Sequence, residues 1–167
     1  MCIRDSTKGQ LSPTSKKGRT TCTSRYGSLE EPVNPLLYVL AYGAGFVAQA
    51  SPTDLAGMAA TIEEAIRYPG FAFVNIQSPC VTYGEEAQQI KGLKAISENL
   101  TALGHNPADR LAAMDLAQHY GQKLHLGVFY RNPEPAPTYD GLVRERQALL
   151  SKDAPPAENI LDLFIKK

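Results

Sequence analysis

The sequence predicts an α/β fold organised on a parallel sheet, and three observations predict it. Phe71–Ile76 is a short apolar run closed by Pro69-Gly70 before it and Ser78-Pro79 after it. That is the pattern of a strand buried on both faces. Upstream, Phe46–Ala48 reads as a strand and Pro52 to about Tyr68 as a helix, so the three elements make a βαβ unit with a right-handed crossover. Finally, 167 residues with 43% hydrophobic and 20% charged residues suit one domain with an ordinary core.

In chain order, Met1–Ser6 matches nothing that follows and is expected to be a non-native leader. Thr7 to Gly27 is polar and aperiodic, a long loop that is either functional or disordered. Asn34 as N-cap with Pro35 at the first helical position opens a short helix to Leu40, ended by Gly43 and Gly45. Ser51 is the expected N-cap of the second helix, with Pro52 at N1 and Asp54 at N3. Its inner face is expected to carry Leu55, Met58, Ala59, Ile62 and Ile66. Glu85–Leu103 is weakly helical and interrupted by Gly92. Asn106-Pro107 starts a further helix, with Leu111, Met114 and Ala117 or Gln118 inward, ending near Gly121. Leu124–Tyr130 reads as a last strand and Pro133–Pro137 as an extended connector. Asp140–Leu150 is a charged amphipathic helix broken by Ala154-Pro155-Pro156, and Asn159–Ile165 is a short terminal helix.

No window approaches the ~18 apolar residues of a membrane span, and the N-terminus has no apolar signal region. Three widely spaced cysteines do not make a disulfide framework, which suits a reducing, cytoplasmic setting. The zero net charge hides an asymmetry. Residues 1–25 hold Arg4, Lys8, Lys16, Lys17, Arg19 and Arg25 against Asp5 alone. Such a segment suits phosphate or another anion, or is a solvated basic tail. Nucleic-acid binding is disfavoured because Tyr26 is the one aromatic interleaved with the basic residues.

The chain contains no Cys-x-x-Cys, His-Glu-x-x-His, nucleophile elbow or Walker loop, and no residue is assigned as catalytic. His105, His119 and His125 are scattered, and each reads as structural. Cys80 follows the Phe71–Ile76 strand directly, at the strand end where α/β sheets collect ligands. It is either a soft, metal-competent ligand or a small buried hydrophobe.

Four separated stretches together carry a resemblance. Thr7-Lys8-Gly9-Gln10-Leu11-Ser12-Pro13-Thr14 is followed by Tyr26-Gly27 and Glu31-Pro32. Gly45-Phe46-Val47-Ala48, Ser78-Pro79-Cys80-Val81-Thr82 and Leu126-Gly127-Val128-Phe129-Tyr130-Arg131 then come in order. Residues 7–150 resemble the C-terminal half of the β subunits of 2-oxoacid:ferredoxin oxidoreductases. The Thr-Lys-Gly-Gln form and the long C-terminal segment look most like the 2-oxoglutarate branch.

The resemblance implies a three-layer thiamine diphosphate-binding fold with a parallel sheet, incomplete at the N-terminus. Residues 7–83 would complete the cofactor domain, and 84–167 would be the subunit's C-terminal extension. The implied reaction is oxidative decarboxylation of a 2-oxoacid to an acyl-CoA, with electrons passing through iron–sulfur clusters to ferredoxin. Thr7, Lys8, Gly9 and Gln10 would lie beside the diphosphate and its Mg²⁺. Lys8 would touch a phosphate or the distal carboxylate of a dicarboxylic substrate, unless it is a solvated loop lysine. Cys80 would be one ligand of a 4Fe–4S cluster. The other three cysteines, and the Gly-Asp-Gly…Asn motif that holds Mg²⁺, are expected upstream. The partners implied are the α subunit, ferredoxin, the 2-oxoacid and CoA, with no nucleic acid and no membrane. The competing reading is a non-catalytic α/β module for binding or assembly.

Overall fold

A computed structural model describes residues 10–79 and 89–153, with side chains to residue 150. The chain divides into two compact units, Met1–Pro135 and Ala136–Lys167. In the first, the elements run α1 (Pro35–Ala41), β1 (Phe46–Ala50), α2 (Leu55–Arg67), β2 (Ala72–Ile76), α3 (Ile90–Ala95), β3 (Ser97–Asn99), α4 (Arg110–Gln118) and β4 (Leu124–Arg131). The second carries α5, Tyr139–Asp153. Expected features at Met1–Ser6, Cys80 and Asn159–Ile165 lie outside the described residues.

The four strands form one sheet in the order β2-β1-β4-β3. The βαβ unit is present, with β1 and β2 parallel from Phe46↔Ala72 to Ala50↔Ile76. The last strand makes the sheet mixed, because β4 runs antiparallel to β1 and parallel to the short β3. A register shift between Val47 and Ala48 marks a bulge in the β1–β4 pair. The extra residue is Phe129; Gly127, opposite Gln49 beyond the bulge, has φ 116°, a backbone conformation that a side chain would oppose.

The sheet is sandwiched between helices. On one face, Val47, Leu100, Phe129 and Tyr130 pack with Leu36 and Leu40 of α1 and Ala113 and Ala117 of α4. On the other, Phe46 and Ala48 meet Tyr68 and Ala65 at the end of α2. Alternation along β1 sends Val47 to the first face and Phe46 and Ala48 to the second, which is why every residue of the strand is buried. Gly45 has no room for a side chain, because the Tyr68 ring and hydroxyl occupy the place of its Cβ.

Asn34 caps α1 as expected, accepting from the Leu36 and Leu37 amides at 3.1 Å. Arg110 closes the other end, donating to Leu40 O and Ala44 O while its guanidinium sits 4.4 Å from the Tyr130 ring centre.

Several expectations are corrected. Helix α2 begins at Leu55, because the Asp54 carboxylate takes the Gly57 amide (2.9 Å) while the Ser51 hydroxyl is drawn to Gln77 O. Its one buried residue is Thr61, with Gly57, Ala65 and the expected Met58 and Ile62 half-buried around it. The larger Leu55 and Ile66 are left 67% and 78% exposed. Likewise α4 starts at Arg110, capped by Asp109, because Asn106 is spent on the preceding turn. Leu111 points outward as a result, whereas Met114 and Ala117 lie inward as expected and Ala113 joins them in the core. Gly92 lies within α3 and does not interrupt it. Strand β3 was unforeseen, since Ser-Glu-Asn has little strand propensity and exists through its pairing with β4. Strand β2 is half-buried, not buried on both faces. It lies at an edge of the described sheet, and Phe71 beside it is 66% exposed.

Candidate functional site

The parallel strands β1 and β2 deliver their carboxyl ends together, and the buried Gln49 and Ser51 and the half-buried Asn75 and Gln77 lie there. Gln49 and Asn75 are register partners one residue before the ends of their strands. Each is the lone polar residue of an otherwise apolar strand. Asn75 Nδ2 donates to Gln49 Oε1 at 2.7 Å, and Gln49 Nε2 donates to the His125 carbonyl at 2.9 Å. Gln49 is 1% exposed, so its amide needs both partners.

Gln77 is held from three sides. Its amide donates to Ala50 O (2.9 Å), its carbonyl accepts from the buried Ser51 Oγ (3.0 Å), and its Nε2 donates to Tyr120 Oη (2.5 Å). Tyr120 follows the end of α4, so the network ties β2, β1, β4 and α4 together. Burial raises the Tyr120 pKa, with the Gln77 and Asn75 side chains pulling the other way. The hydroxyl is thus a neutral hydrogen-bonding group, and the amides carry no charge. This arrangement can position; it does not supply an acid or base.

Beside it lies His125, 3% exposed on β4, with neither ring nitrogen hydrogen-bonded. Glu98 Oε2 is 3.5 Å from its Nδ1, and the exposed His119 ring packs edge-on at 5.9 Å. Burial pushes the His125 pKa down. Glu98 opposes this, and His119, Lys123 and His105 add to it. The sign follows: the unfolded chain binds a proton at His125 more readily than the folded one. Its contribution to stability is therefore full above the unfolded pKa of about 6.5 and declines as pH falls from there toward the depressed folded value. Glu98, whose pKa the Lys123 ammonium lowers, adds an acid-side loss at lower pH. Urea midpoints measured across this range should fall with acid, and His125→Leu should flatten the upper part of the profile. An unchanged slope in the variant would contradict the assignment.

The sequence-expected residues are only partly in view. Gln10 is exposed, at the start of a polar segment with backbone bonds of its own, Gly18 N to Ser28 O at 2.7 Å and Val33 N to Pro13 O at 2.8 Å. Thr7, Lys8, Gly9 and Cys80 lie outside the described residues. Cys80 stands three residues after Gln77 in the chain. His105 is structural, its Nε2 2.7 Å from Phe129 O. Among the described residues, no group of three His, Cys, Asp or Glu side chains could hold a metal ion. A cleft of about 470 Å³ lies at the opposite, amino ends of β1 and β2, between Tyr68, Pro107 and Arg131. No described helix is long and apolar enough to cross a membrane.

Comparison with known proteins adds to this. Residues 80–147 match the family model described as the C-terminal region of the pyruvate ferredoxin oxidoreductase β subunit. The β subunit of 2-oxoacid:ferredoxin oxidoreductase 1 from Aeropyrum pernix is 30% identical over 164 residues, covering 90% of this chain and 50% of that protein. The 2-oxoglutarate synthase subunit KorB of Methanothermobacter marburgensis is 30% identical over 140 residues, 81% of this chain and 48% of that one. The 2-oxoglutarate:ferredoxin oxidoreductase of Magnetococcus marinus, solved with 2-oxoglutarate, coenzyme A and succinyl-CoA bound, superposes with a TM-score of 0.80. That match has 35% identity and covers 95% of this chain and 53% of that one. The chain thus spans about half the length of the curated relatives it matches.

Proposed function

We propose that this chain, similar over most of its length to 2-oxoacid:ferredoxin oxidoreductase β subunits, belongs to their family and works as the C-terminal half of such a subunit. The proposed reaction is oxidative decarboxylation of 2-oxoglutarate to its acyl-CoA, with the electron pair passed through iron–sulfur clusters to ferredoxin. The observation that carries the reading is the superposition, at 35% identity over 95% of the chain, on an oxidoreductase of 2-oxoglutarate. A non-catalytic module is not favoured, because every named relative is an oxidoreductase subunit.

Thiamine diphosphate, when bound, would supply the carbanion-stabilising chemistry, and the protein supplies position and charge. In this reading Thr7 offers a hydroxyl, Gly9 lets the backbone come close to the diphosphate, and Lys8 balances a phosphate or the substrate's distal carboxylate. Gln10 is exposed at the start of the described loop. The Mg²⁺ ligands would come from the rest of the subunit.

The cluster fits this chain in part. A 4Fe–4S cluster takes four thiolates. Cys22, the one cysteine among the described residues, is exposed near the Thr21–Ser24 bridge. In this reading Cys80 is a single ligand of a set completed elsewhere in the subunit.

The test is a comparison of substrates in the enzyme assembled from the full-length β subunit and its partner. Anaerobic ferredoxin reduction should show a kcat/KM for 2-oxoglutarate at least about tenfold above that for pyruvate, the low end of the discrimination that a missing substrate group produces. Preference for pyruvate would move the chain to another branch of the family.

A further inference from the structure

We propose that the cleft at the amino ends of β1 and β2 is a binding site for a carboxylate carried on an apolar body, such as an aromatic acid. Every residue involved belongs to the first unit, and nothing in the site depends on the reaction proposed above.

The walls of the cleft are rigid. It holds about 470 Å³, a volume suited to a small molecule. Pro69, Pro107, Pro133 and Pro135 all line it. Their rings fix φ, so these walls have little freedom to lose when a ligand enters. Backbone bonds tie the walls together. The Arg131 amide donates to Pro107 O at 2.8 Å, and the Asn132 amide donates to Gly45 O at 2.7 Å. The cleft is therefore preformed.

Its polar groups are donors. Among the described residues that line it, Tyr68, Asn106, Arg131 and Asn132 bear polar side chains, and none is acidic. Both asparagine carbonyls are engaged, Asn106 Oδ1 by the Ala108 amide and Asn132 Oδ1 by the Glu134 amide, each at 3.1 Å. Their amide nitrogens bring N–H donors. Arg131 adds a guanidinium, whose Nη1 donates to Glu64 at 2.9 Å. Donors grouped around one cation select a negatively charged acceptor, and a planar carboxylate matches the guanidinium fork. Glu64 is a competitor already in place. It and Arg131 are both partly exposed, so their pair is worth little and gives way readily.

Tyr68 supplies the independent sign of a ligand. It is 7% exposed, with its ring 5.5 Å from that of Phe46 and its hydroxyl over Gly45. That hydroxyl has no hydrogen-bond partner among the described residues. A buried hydroxyl left unpaired is costly, and this one belongs to the wall of a cleft. Burial raises its pKa and Tyr130 adds to this, while Arg131 and Arg110 oppose. The group is thus a protonated donor at neutral pH, within reach of two guanidinium charges. A bound carboxylate accepts from it and satisfies it.

The experiment measures cinnamate binding by calorimetry, with uncharged cinnamamide as the control. It uses the enzyme assembled from the full-length β subunit and its partner, unaltered and with Tyr68→Phe, Arg131→Gln or Glu64→Gln. Cinnamate should bind saturably, and cinnamamide at least about tenfold more weakly, the worth of hydrogen bonds to a charged group. Tyr68→Phe should weaken cinnamate several-fold and Arg131→Gln about tenfold or more, with circular dichroism unaltered. Glu64→Gln should tighten it about two- to fivefold, because a competing carboxylate is gone. A merely structural role for Glu64 would give no such gain. Absence of saturable binding, or equal affinity for acid and amide, would overturn the site. An affinity that none of the substitutions changes would overturn it too, because the acid would then bind elsewhere. Weaker binding in all three variants with a lowered Tm would assign them a structural role and overturn it as well.

Discussion

Replacing Cys80 by serine in the assembled enzyme is expected to abolish one iron–sulfur cluster and cut ferredoxin reduction by more than about 100-fold. The size follows from coordination chemistry. Outer groups that only steady a ligand are worth about 10–100-fold, so removal of the ligand itself should exceed that. Serine keeps the shape and hydrogen-bonding capacity of the side chain but offers a harder, more basic oxygen in place of a soft thiolate. The rest of the fold should be untouched, since the core of the first unit is built from α1, α4 and the central strands. Circular dichroism and subunit assembly should match the unaltered protein while iron and turnover fall. Full turnover in the serine variant would remove Cys80 from the electron path.

The largest stability effect is expected at Phe129. It lies on β4 with 1% of its surface exposed, in one cluster with Leu36 and Leu40 of α1 and Val47 of β1, and its carbonyl meets the His105 ring. Phe129→Ala deletes the ring where strands and helices converge and leaves a cavity that the β1–β4 bulge cannot collapse. A cost of about 3–5 kcal/mol is expected, a large part of the ~5–15 kcal/mol that holds a domain together. That corresponds to a drop in Tm of roughly 10 °C or more. Leu111→Ala, on a side chain 78% exposed, should change stability by less than about 0.5 kcal/mol. Similar losses at the two positions would show that the core has been misplaced.

The contrast between those leucine and phenylalanine positions also marks what could be read from the chain. Periodicity located the βαβ unit because β1 and β2 are short apolar runs with a capped helix between them, and local order decides such units. The Asn34-Pro35 cap was legible for the same reason: both partners of its hydrogen bonds lie within three residues. The inner faces of α2 and α4 were legible only in part: Met114 and Ala117 pack inward as their spacing predicts. A helix against a sheet favours small residues, so Thr61 and Ala113 went in while Leu55, Ile66 and Leu111 stayed out. That choice depends on distances between elements, which no helical period encodes. Strand β3 exists only by pairing with β4, and an ion pair of 2.9 Å links its Glu98 to Lys123, just before β4 and 25 residues further on.

The polar layer left a trace that went unused. One amide in each of two apolar strands, Gln49 and Asn75, at the same distance from the strand end, is a pattern that packing alone would not choose. Gln77 and Tyr120 carry no such mark, because their bond joins residues 43 apart. For the loop at Thr7–Gln10 and for Cys80 the family resemblance was the whole signal.

The most direct test of the central claim is anaerobic incubation of the enzyme, assembled from the full-length β subunit and its partner, with 2-oxoglutarate, coenzyme A and oxidised ferredoxin. Mass spectrometry follows the acyl-CoA and visible absorbance the ferredoxin. Succinyl-CoA should appear in step with ferredoxin reduction, an electron pair per acyl-CoA formed, and neither should appear when coenzyme A or thiamine diphosphate is left out. An assembled, cofactor-loaded complex that forms no acyl-CoA from any 2-oxoacid would contradict the account.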